Sequence, residues 1–541
     1  MNRVINPRKW LRSWMMPWLI GGAVFFLVAS TAPHYGLTWD EPNYFYASDL
    51  EIRWLVEFGK NLLEGKAARS LDDDVIKAAW HWDPYHVPHP PFSRILSGLT
   101  KAFFAPIFDK FVAYRFAPAL FFALLVTVMY LWMTELFDRV TGLFAALTLV
   151  AIPNLFGFAH FAVTDMPLTT MWFVTTYCFW RGLGDWKWSL ILGVVWGLAL
   201  STKFPAFLIP IPLLLWAHIY RRQSYANNLF AMIFLSPLIM VALNPFLWHE
   251  TLPRLASFIY DHTSRGYRLE TNYPILFFGQ RYFTSELPWY YPFFITAVTT
   301  PETILVLILV GAIAWARSNA QREIVLLFLL NACFMFVMGL LPGAVLHDGM
   351  RQLLAILPFL AGLAGAGFFV IVRYLTEQSK KTLALQRVKH LQPKLIGVLY
   401  LLLLFPPALD LFVYHPSELS YYNRLLGGIR GAYLRGFEVT YFMEAYTPEF
   451  LARLNKELPP NAKVNALFSN VMLLYYQQEN RLRPDIRITD GEVFDYYILL
   501  NRRSIFPEEV DAFLASRPRI HDASRLDDVP LVLIFKVGPG S

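Results

Sequence analysis

Long apolar runs, separated by short polar breaks, occupy most of the 541-residue chain. As α-helices, about ten of these runs are long enough to cross a hydrocarbon core of about 30 Å. The pattern predicts a polytopic α-helical membrane protein with about eleven transmembrane helices: a first helix ending near Pro33, and spans at 111–136, 142–160, 165–181, 188–202, 204–220, 226–246, 291–316, 323–341, 351–372 and 395–413. A cleaved signal peptide is the alternative for the first run. An uncleaved helix is favoured because about 18 apolar residues nearly span the bilayer.

The composition agrees with a membrane protein and argues against other classes. Hydrophobic residues make up 56% of the chain and charged residues 16%, whereas a soluble domain carries about 25% charged residues. The net charge of +7 is attributed to loops that set membrane topology, and not to nucleic-acid binding. The two cysteines, Cys178 and Cys333, lie in apolar runs, which excludes a disulfide framework and disfavours a zinc-thiolate site.

The basic residues predict the topology and the domain organisation. They cluster in every second turn, at Arg139, Arg181 with Lys187, Arg221 with Arg222, Arg317 with Arg322, and 373–394. Because basic loops stay in the cytoplasm, we expect the N-terminus inside and the C-terminus outside. The chain then divides into a transmembrane domain (1–413) and an extracytoplasmic C-terminal domain (414–541), whose mixed pattern predicts a small α/β fold.

Two long loops, 34–90 and 247–290, are expected on the outer face. The first contains an amphipathic pattern over 44–64, which predicts a helix on the membrane surface. The apolar segment 90–108 that follows contains Arg94 and Lys101, so we predict an interfacial or half-inserted helix there and not a span. The second loop is long and polar enough to serve as a lid.

Carboxylates stand at two of the predicted outer helix ends. Asp40 and Glu41 follow the first helix in Trp39-Asp40-Glu41-Pro42, and Asp165 lies between two apolar runs. Helix capping explains each of them individually. However, an unpaired charge deep in a bilayer costs about 2.5–3.5 kcal/mol, and two carboxylate sites on separate helices at one face predict a shared polar cavity.

Four cationic or titratable side chains are predicted at the same boundary. Lys203 lies in the short Ser-Thr-Lys-Phe-Pro break, Arg115 in the first turns of a span, and His89 and Arg94 flank Pro90-Pro91. Each of them, taken alone, is also compatible with a side chain that reaches toward lipid headgroups. Together with the carboxylates they predict a site for a lipid phosphate.

The segment from His81 to His89 contains three histidines and Asp83, which makes it a candidate metal site. Such side chains ligate zinc. Two prolines in the segment interrupt the helical spacing that would place the ligands on one face. No metal site is therefore assigned, and the sequence does not decide whether the protein requires a divalent cation.

With these residues in place, the chain resembles the GT-C membrane glycosyltransferases, and most closely glycosyltransferase family 39 and its relatives, the branch of protein O-mannosyltransferases and lipid A aminoarabinose transferases. The resemblance covers about 1–375 and rests on motifs in order: Asp40-Glu41, His89-Pro90-Pro91-Phe92, Thr164-Asp165-Met166-Pro167 and Thr202-Lys203-Phe204-Pro205. It departs from the family at His89, where Lys is frequent, and in the tail 414–541, which matches no particular family domain.

The resemblance implies transfer of a sugar from a polyprenyl-phosphate donor to an extracytoplasmic hydroxyl of a lipid, glycan or protein, with inversion and without a required cofactor. It implies that Asp40 is the base, while Glu41 and Asp165 orient the sugar, a cation or the site itself. The candidates for contacts with phosphate or substrate are His89, Arg94, Arg115, Lys203, Arg265, Tyr267, Arg268 and Arg351.

Two other classes of function, a transporter and a scaffold, agree less well with the sequence than a transferase does. A transporter of a lipid-linked or small polar substrate would place charges near the midplane, in two related halves, and no internal repeat is visible. A scaffold would not require charged residues from several helices on one face. Because no organelle address is recognisable, we expect a bacterial inner membrane with the site on the periplasmic side.

Overall fold

A computed structural model describes residues 7–81, 89–220, 225–264, 272–316, 322–341, 343–381 and 391–537. Residues up to 414 are mainly helical. Their helices are α1 (Pro7–Thr31), α2 (Glu41–Leu63), α3 (Asp73–Trp80), α4 (Phe92–Phe104), α5 (Lys110–Leu136), α6 (Arg139–Val150), α7 (Pro153–Phe158), α8 (Asp165–Gly182), α9 (Trp186–Leu200), α10 (Pro210–Tyr220), α11 (Ala226–Ala242), α12 (Thr251–Ser264), α13 (Tyr291–Val298), α14 (Glu302–Ala316), α15 (Arg322–Leu340), α16 (Leu357–Lys381) and α17 (Leu391–Tyr414). A short antiparallel hairpin, β1 (Pro274–Phe277) and β2 (Gln280–Phe283), follows α12.

Several of these helices are long and apolar enough to cross a membrane, which confirms an integral membrane protein. Within the described ranges there are five such segments: Met15–His34, Lys110–Leu136, Arg322–Leu340, Arg351–Gln378 and Lys394–Tyr414. Shorter apolar helices occupy Arg139–Val150, Trp186–Leu200, Phe204–Tyr220 and Ala226–Ala242. The count of eleven spans stays a prediction.

Two predicted spans are not continuous helices. The segment 142–160 is divided between α6 and α7 at Ala151 and Ile152, because Pro153 cannot donate the backbone hydrogen bond that would continue α6. The segment 291–316 breaks between α13 and α14, which are bent by 118°. Pro301 lies in that break and has the same effect.

The first loop folds onto the helical bundle. Along α2, Glu41, Phe45, Ser48 and Glu51 are buried, and their spacing of three or four residues places them on one helical face. Helix α4 occupies most of the segment predicted to be interfacial. It packs against both α2 and α5, so the loop is fixed to the bundle.

The tail forms a mixed five-stranded sheet. Its elements are α18 (Gly428–Leu434), α19 (Pro448–Glu457), β3 (Lys463–Asn465), α20 (Asn470–Gln478), β4 (Arg487–Ile488), β5 (Tyr496–Leu500), α21 (Glu508–Ala515), β6 (Ile520–Leu526) and β7 (Val529–Lys536). The strand order is β4-β3-β5-β7-β6, with β3 parallel to β4 and β5 and the other pairs antiparallel. All of β5 and all but the last residue of β7 are buried, as expected for central strands.

The tail packs directly against the start of the first loop. The Trp39 N–H donates to the Phe442 carbonyl over 3.1 Å, and the Leu37 N–H donates to the Tyr476 hydroxyl over 2.6 Å. The backbone that precedes α2 is therefore held between the helical bundle and the tail, and this is where the candidate site lies.

Candidate active site

Arg351 lies at the centre of a buried charge cluster. Its guanidinium donates to Asp40, to Asp165 (Nε to Oδ2, 3.3 Å) and to Asp348 (Nη1 to Oδ2, 3.0 Å). The Phe442 ring covers the guanidinium, with its centroid 3.9 Å from the Arg351 carbon, a distance at which a cation is attracted to the aromatic face. One planar side chain thus joins three carboxylates, a task for which the five N–H donors of arginine are suited.

Lys203 completes this cluster from the turn that follows α9. Its Nζ lies 2.7 Å from Asp165 Oδ1 and 3.4 Å from Gln352 Oε1. Lys203 immediately precedes the 3₁₀ turn Phe204–Leu208, and Asp165 is the first residue of α8. The short polar break between two apolar runs therefore holds the ammonium group against α8.

Asp40 is the most accessible carboxylate of the cluster. Its side chain is 21% exposed, against 1% for Asp165 and 5% for Asp348. Although it precedes α2, it makes no capping hydrogen bond, so the alternative of a helix cap is wrong for this residue. Burial raises the pKa of the Asp40 carboxyl, while Arg351 acts in the opposite direction. An accessible carboxylate with a raised pKa is suited to accept a proton.

Two members of the cluster were not among the predicted site residues. Asp348 Oδ1 lies 2.9 Å from Nη1 of Arg502, which comes from the tail between β5 and α21. Burial raises the pKa of Asp348, but His347, Arg502 and Arg351 outweigh this effect and lower the pKa to about 2. The sequence marks 347–351 as a polar patch. In contrast, no local signal distinguishes Arg502 from other arginines of the tail.

Glu41, predicted to orient the sugar, a cation or the site, and Arg115, a predicted substrate contact, bind each other. Arg115 donates Nε to Glu41 Oε1 (2.8 Å) and Nη2 to Glu41 Oε2 (2.7 Å). Its other bonds go to the carbonyls of Ala32, Tyr35 and Gly36. Because Glu41 is fully buried and Arg115 is 2% exposed, this pair holds the first loop on α5, and a role of either residue toward the substrate stays a prediction.

Arg94 is likewise engaged within the protein. It donates Nε to Glu51 over 2.8 Å and Nη1 to the His89 carbonyl over 2.6 Å, and both charged side chains are buried. Arg94 therefore fixes the backbone at His89, and its contact with a phosphate stays a prediction.

His89 lines a cavity whose other lining residues do not include the members of the charge cluster. Its ring is parallel to that of Tyr44, one turn along α2 from Asp40, with 6.4 Å between centroids. The cavity has a volume of about 280 Å³ and is also lined by Arg254 and Phe258 of α12. Helix α12 belongs to the loop 247–290, which was predicted to be a lid.

Other predicted residues fall beyond the described ranges. Arg265, Tyr267 and Arg268 lie there, as do Asp83 and His86 of the histidine-rich segment. Among the residues that the structure describes, no group of three His, Cys, Asp or Glu side chains is arranged to hold a metal ion.

Part of the chain matches a known protein family. Residues 89–249 match the family model described as dolichyl-phosphate-mannose-protein mannosyltransferase. The chain is a membrane glycosyltransferase. This match confirms the resemblance to the GT-C glycosyltransferases. The matched part of the enzyme contains five of the predicted site residues: His89, Arg94, Arg115, Asp165 and Lys203.

Solved structures are similar to the enzyme over most of its length. Two structures of ArnT from Cupriavidus metallidurans, one bound to undecaprenyl phosphate and one in the apo state, give TM-scores of 0.48 and 0.49 at 13% and 14% identity. They cover 98% and 97% of this chain and 98% of each ArnT chain. The apo oligosaccharyltransferase of Archaeoglobus fulgidus gives a TM-score of 0.47 at 12% identity, covering 83% of this chain and 59% of that chain. No curated protein sequence matches the enzyme.

Proposed function

We propose that the enzyme transfers a sugar from a polyprenyl-phosphate carrier to an acceptor hydroxyl, with inversion at the anomeric carbon. The observation that carries this proposal is the contact of Arg351 with both Asp40 and the Asp165–Lys203 pair. An accessible carboxylate and two cations thus lie in one cluster, as a reaction that moves a proton and releases a phosphate requires.

Asp40 acts as the base. The acceptor oxygen attacks C1 of the sugar and forms the new glycosidic bond, while the bond from C1 to the phosphate oxygen breaks. The acceptor proton passes to Asp40, and the bonding electron pair leaves with the phosphate. Attack opposite to the leaving group inverts C1.

Lys203 and Arg351 stabilise the leaving group. The carrier changes from a phosphodiester with one negative charge to a monoester with nearly two, and preorganised cations stabilise charge that develops in a transition state. Lys203 is held by Asp165 at 2.7 Å, so it is fixed in position before the donor arrives. Asp165 has the role of positioning Lys203.

Arg351 links the two halves of the reaction through charge. The cluster pairs three carboxylates (Asp40, Asp165 and Asp348) with three cations (Lys203, Arg351 and Arg502). When Asp40 takes the acceptor proton it becomes neutral and no longer holds Arg351. The phosphate gains negative charge in the same step, so Arg351 is released to the leaving group as the need for it grows.

A cavity on the side of α12 is suited to binding a substrate. Helix α12 and His89 line a cavity, which we assign to substrate, with α12 as part of its lid. We place the site and the tail on the periplasmic side of a bacterial inner membrane, from the distribution of basic residues. A lipid, glycan or protein hydroxyl accepts the sugar there.

Transfer by the purified enzyme tests the proposal. Radiolabelled polyprenyl-phosphate sugars are incubated with envelope lipid and protein, for the wild type and for Asp40→Asn, Lys203→Ala and the control Asp49→Asn. Asp49 lies on α2, the helix that Asp40 precedes, but pairs with Lys101 and not with Arg351. We expect Asp40→Asn to bind donor without transferring it, Lys203→Ala to be strongly impaired and Asp49→Asn to be active. Full activity of Asp40→Asn would exclude Asp40 as the base, and wild type that neither binds nor transfers any donor would exclude the transferase.

A further inference from the structure

The tail contributes directly to the walls of the candidate site. Phe442 covers the Arg351 guanidinium at 3.9 Å, and its carbonyl accepts the N–H of Trp39, the residue before Asp40. Arg502, also from the tail, pairs with Asp348. The tail therefore contacts the cluster through two residues distant in sequence, Phe442 and Arg502, and also holds the backbone next to Asp40.

Arg502 is held in place independently of the cluster. Its side chain is 11% exposed, and its Nη1 donates to the Tyr441 carbonyl. It lies two residues after β5, the central strand of the tail sheet. The N–H of Ser504, two residues further on, donates to Glu438 over 3.0 Å. The end of this strand thus fixes where Arg502 can lie.

Asp348 transmits this position to Arg351. Its two carboxylate oxygens face different arginines: Oδ1 lies 2.9 Å from Arg502 and Oδ2 lies 3.0 Å from Arg351. Asp348 and Gly349 both have positive φ, 61° in each case, so this turn has an unusual conformation that places the carboxylate between the two. Without Arg502, one side of Asp348 loses its cation and Arg351 becomes the only arginine contacting it among the described residues.

We propose that Arg502 is a positioning residue which, through Asp348, orients Arg351 toward Asp40 and Asp165, so that the tail completes the active site. The inference rests on the proposed function. It assigns the tail a part in transfer beyond packing. Arg502 itself touches neither the base nor Lys203 in the contacts described, so its effect passes through Asp348 and Arg351.

Steady-state kinetics of the full-length enzyme in detergent test this inference. The variants are Arg502→Gln, Asp348→Asn, the double variant, and Arg503→Gln, an exposed neighbour, as control. We expect Arg502→Gln and Asp348→Asn each to lower kcat by up to about 100-fold, since small displacements of reacting groups have effects of this size. KM for the donor should change little. The double variant should lose no more kcat than the more impaired of the two single variants. Arg503→Gln should match the wild type.

The pH profile separates positioning from a merely structural role. Arg351 lowers the pKa of Asp40, so a displaced Arg351 should shift the acid limb of kcat/KM to higher pH in Arg502→Gln, and Arg502→Lys should reverse part of that shift. If Arg502→Gln does not fold, Asp348→Asn breaks the same link from its other end. Two results would overturn the inference: folded variants with the kcat and pH profile of the wild type, or losses of kcat that are additive in the double variant. If Asp40→Asn is inactive in the same assay, the proposed function would still stand. Absence of transfer by the wild type would overturn the proposed function and this inference together.

Discussion

The Arg351 guanidinium contacts the Asp40 carboxylate across 311 residues of chain. Asp40 immediately precedes α2 in the first loop, whereas Arg351 begins a 3₁₀ turn that leads into α16. Because Arg351 also contacts Asp165, the partner of Lys203, this contact joins the proposed base to the proposed phosphate site. The geometry and charge of Arg351 should therefore affect both proton transfer and departure of the carrier.

Arg351→Lys should lower kcat by about 10²–10³-fold, the loss seen when one preorganised donor is removed from a transition state. A lysine keeps the charge, but one ammonium group cannot reproduce the planar fork that spans three carboxylates. The measurement is kcat at saturating donor, with Arg373→Lys as control, since Arg373 forms an exposed pair with Glu377. Activity of Arg351→Lys close to wild type would mean that charge alone is sufficient.

The pH dependence of kcat/KM should report the ionisation of Asp40. A base must be ionised to accept a proton, so activity falls as pH decreases through the pKa of Asp40. Burial raises that pKa and Arg351 opposes the rise, so the acid limb should lie above the ordinary aspartate value of about 3.9. Arg351→Gln removes the opposing cation, and the limb should move further toward neutral pH. A limb that stays in place in Arg351→Gln would contradict the contact with Asp40.

Arg115→Gln should destabilise the enzyme by about 3–5 kcal/mol, the cost of leaving a buried charge without its partner. Glu41 has no solvent exposure and Arg115 also bonds three backbone carbonyls. Thermal unfolding in detergent measures the effect. Arg373→Gln, which breaks an exposed pair, should cost at most about 1 kcal/mol. A stable Arg115→Gln with weakened donor binding would return Arg115 to the phosphate site.

The sequence predicts where charged groups lie better than it predicts their partners. Asp40, Asp165 and Lys203 interrupt or follow apolar runs, and a charge in such a place stays at the membrane boundary or is paired. The structure brings all three to one cluster, as expected from their common face. Their catalytic roles stay predictions.

Which cation meets which carboxylate depends on tertiary packing. Arg115 and Arg351 both stand at the start of apolar segments, yet one is enclosed by Glu41 and backbone carbonyls and the other faces Asp40. Arg502 illustrates the same limit, because it reaches the cluster only through the fold of the tail sheet. The helix breaks at Pro153 and Pro301 were predictable from proline chemistry, but the apolar pattern of the runs conceals them.

Gly36→Ala should destabilise the contact between the first loop and the tail. A Cβ at Gly36 would lie 2.5 Å from the carbonyl oxygens of both Glu444 and Tyr446, and because these are backbone atoms, a side-chain rotation cannot relieve the overlap. The Gly36 carbonyl also accepts Arg115 Nη2 over 2.7 Å, so a shift there disturbs the support of Asp40. Gly59→Ala is the matched control, since nothing lies within 4 Å of its Cβ and alanine favours a helix over glycine by about 0.5–1 kcal/mol. We expect thermal unfolding to show a lower Tm with reduced transfer for Gly36→Ala, and an equal or higher Tm with full transfer for Gly59→Ala. Equal stability and activity of the two variants would show that the tail does not pack closely on the loop.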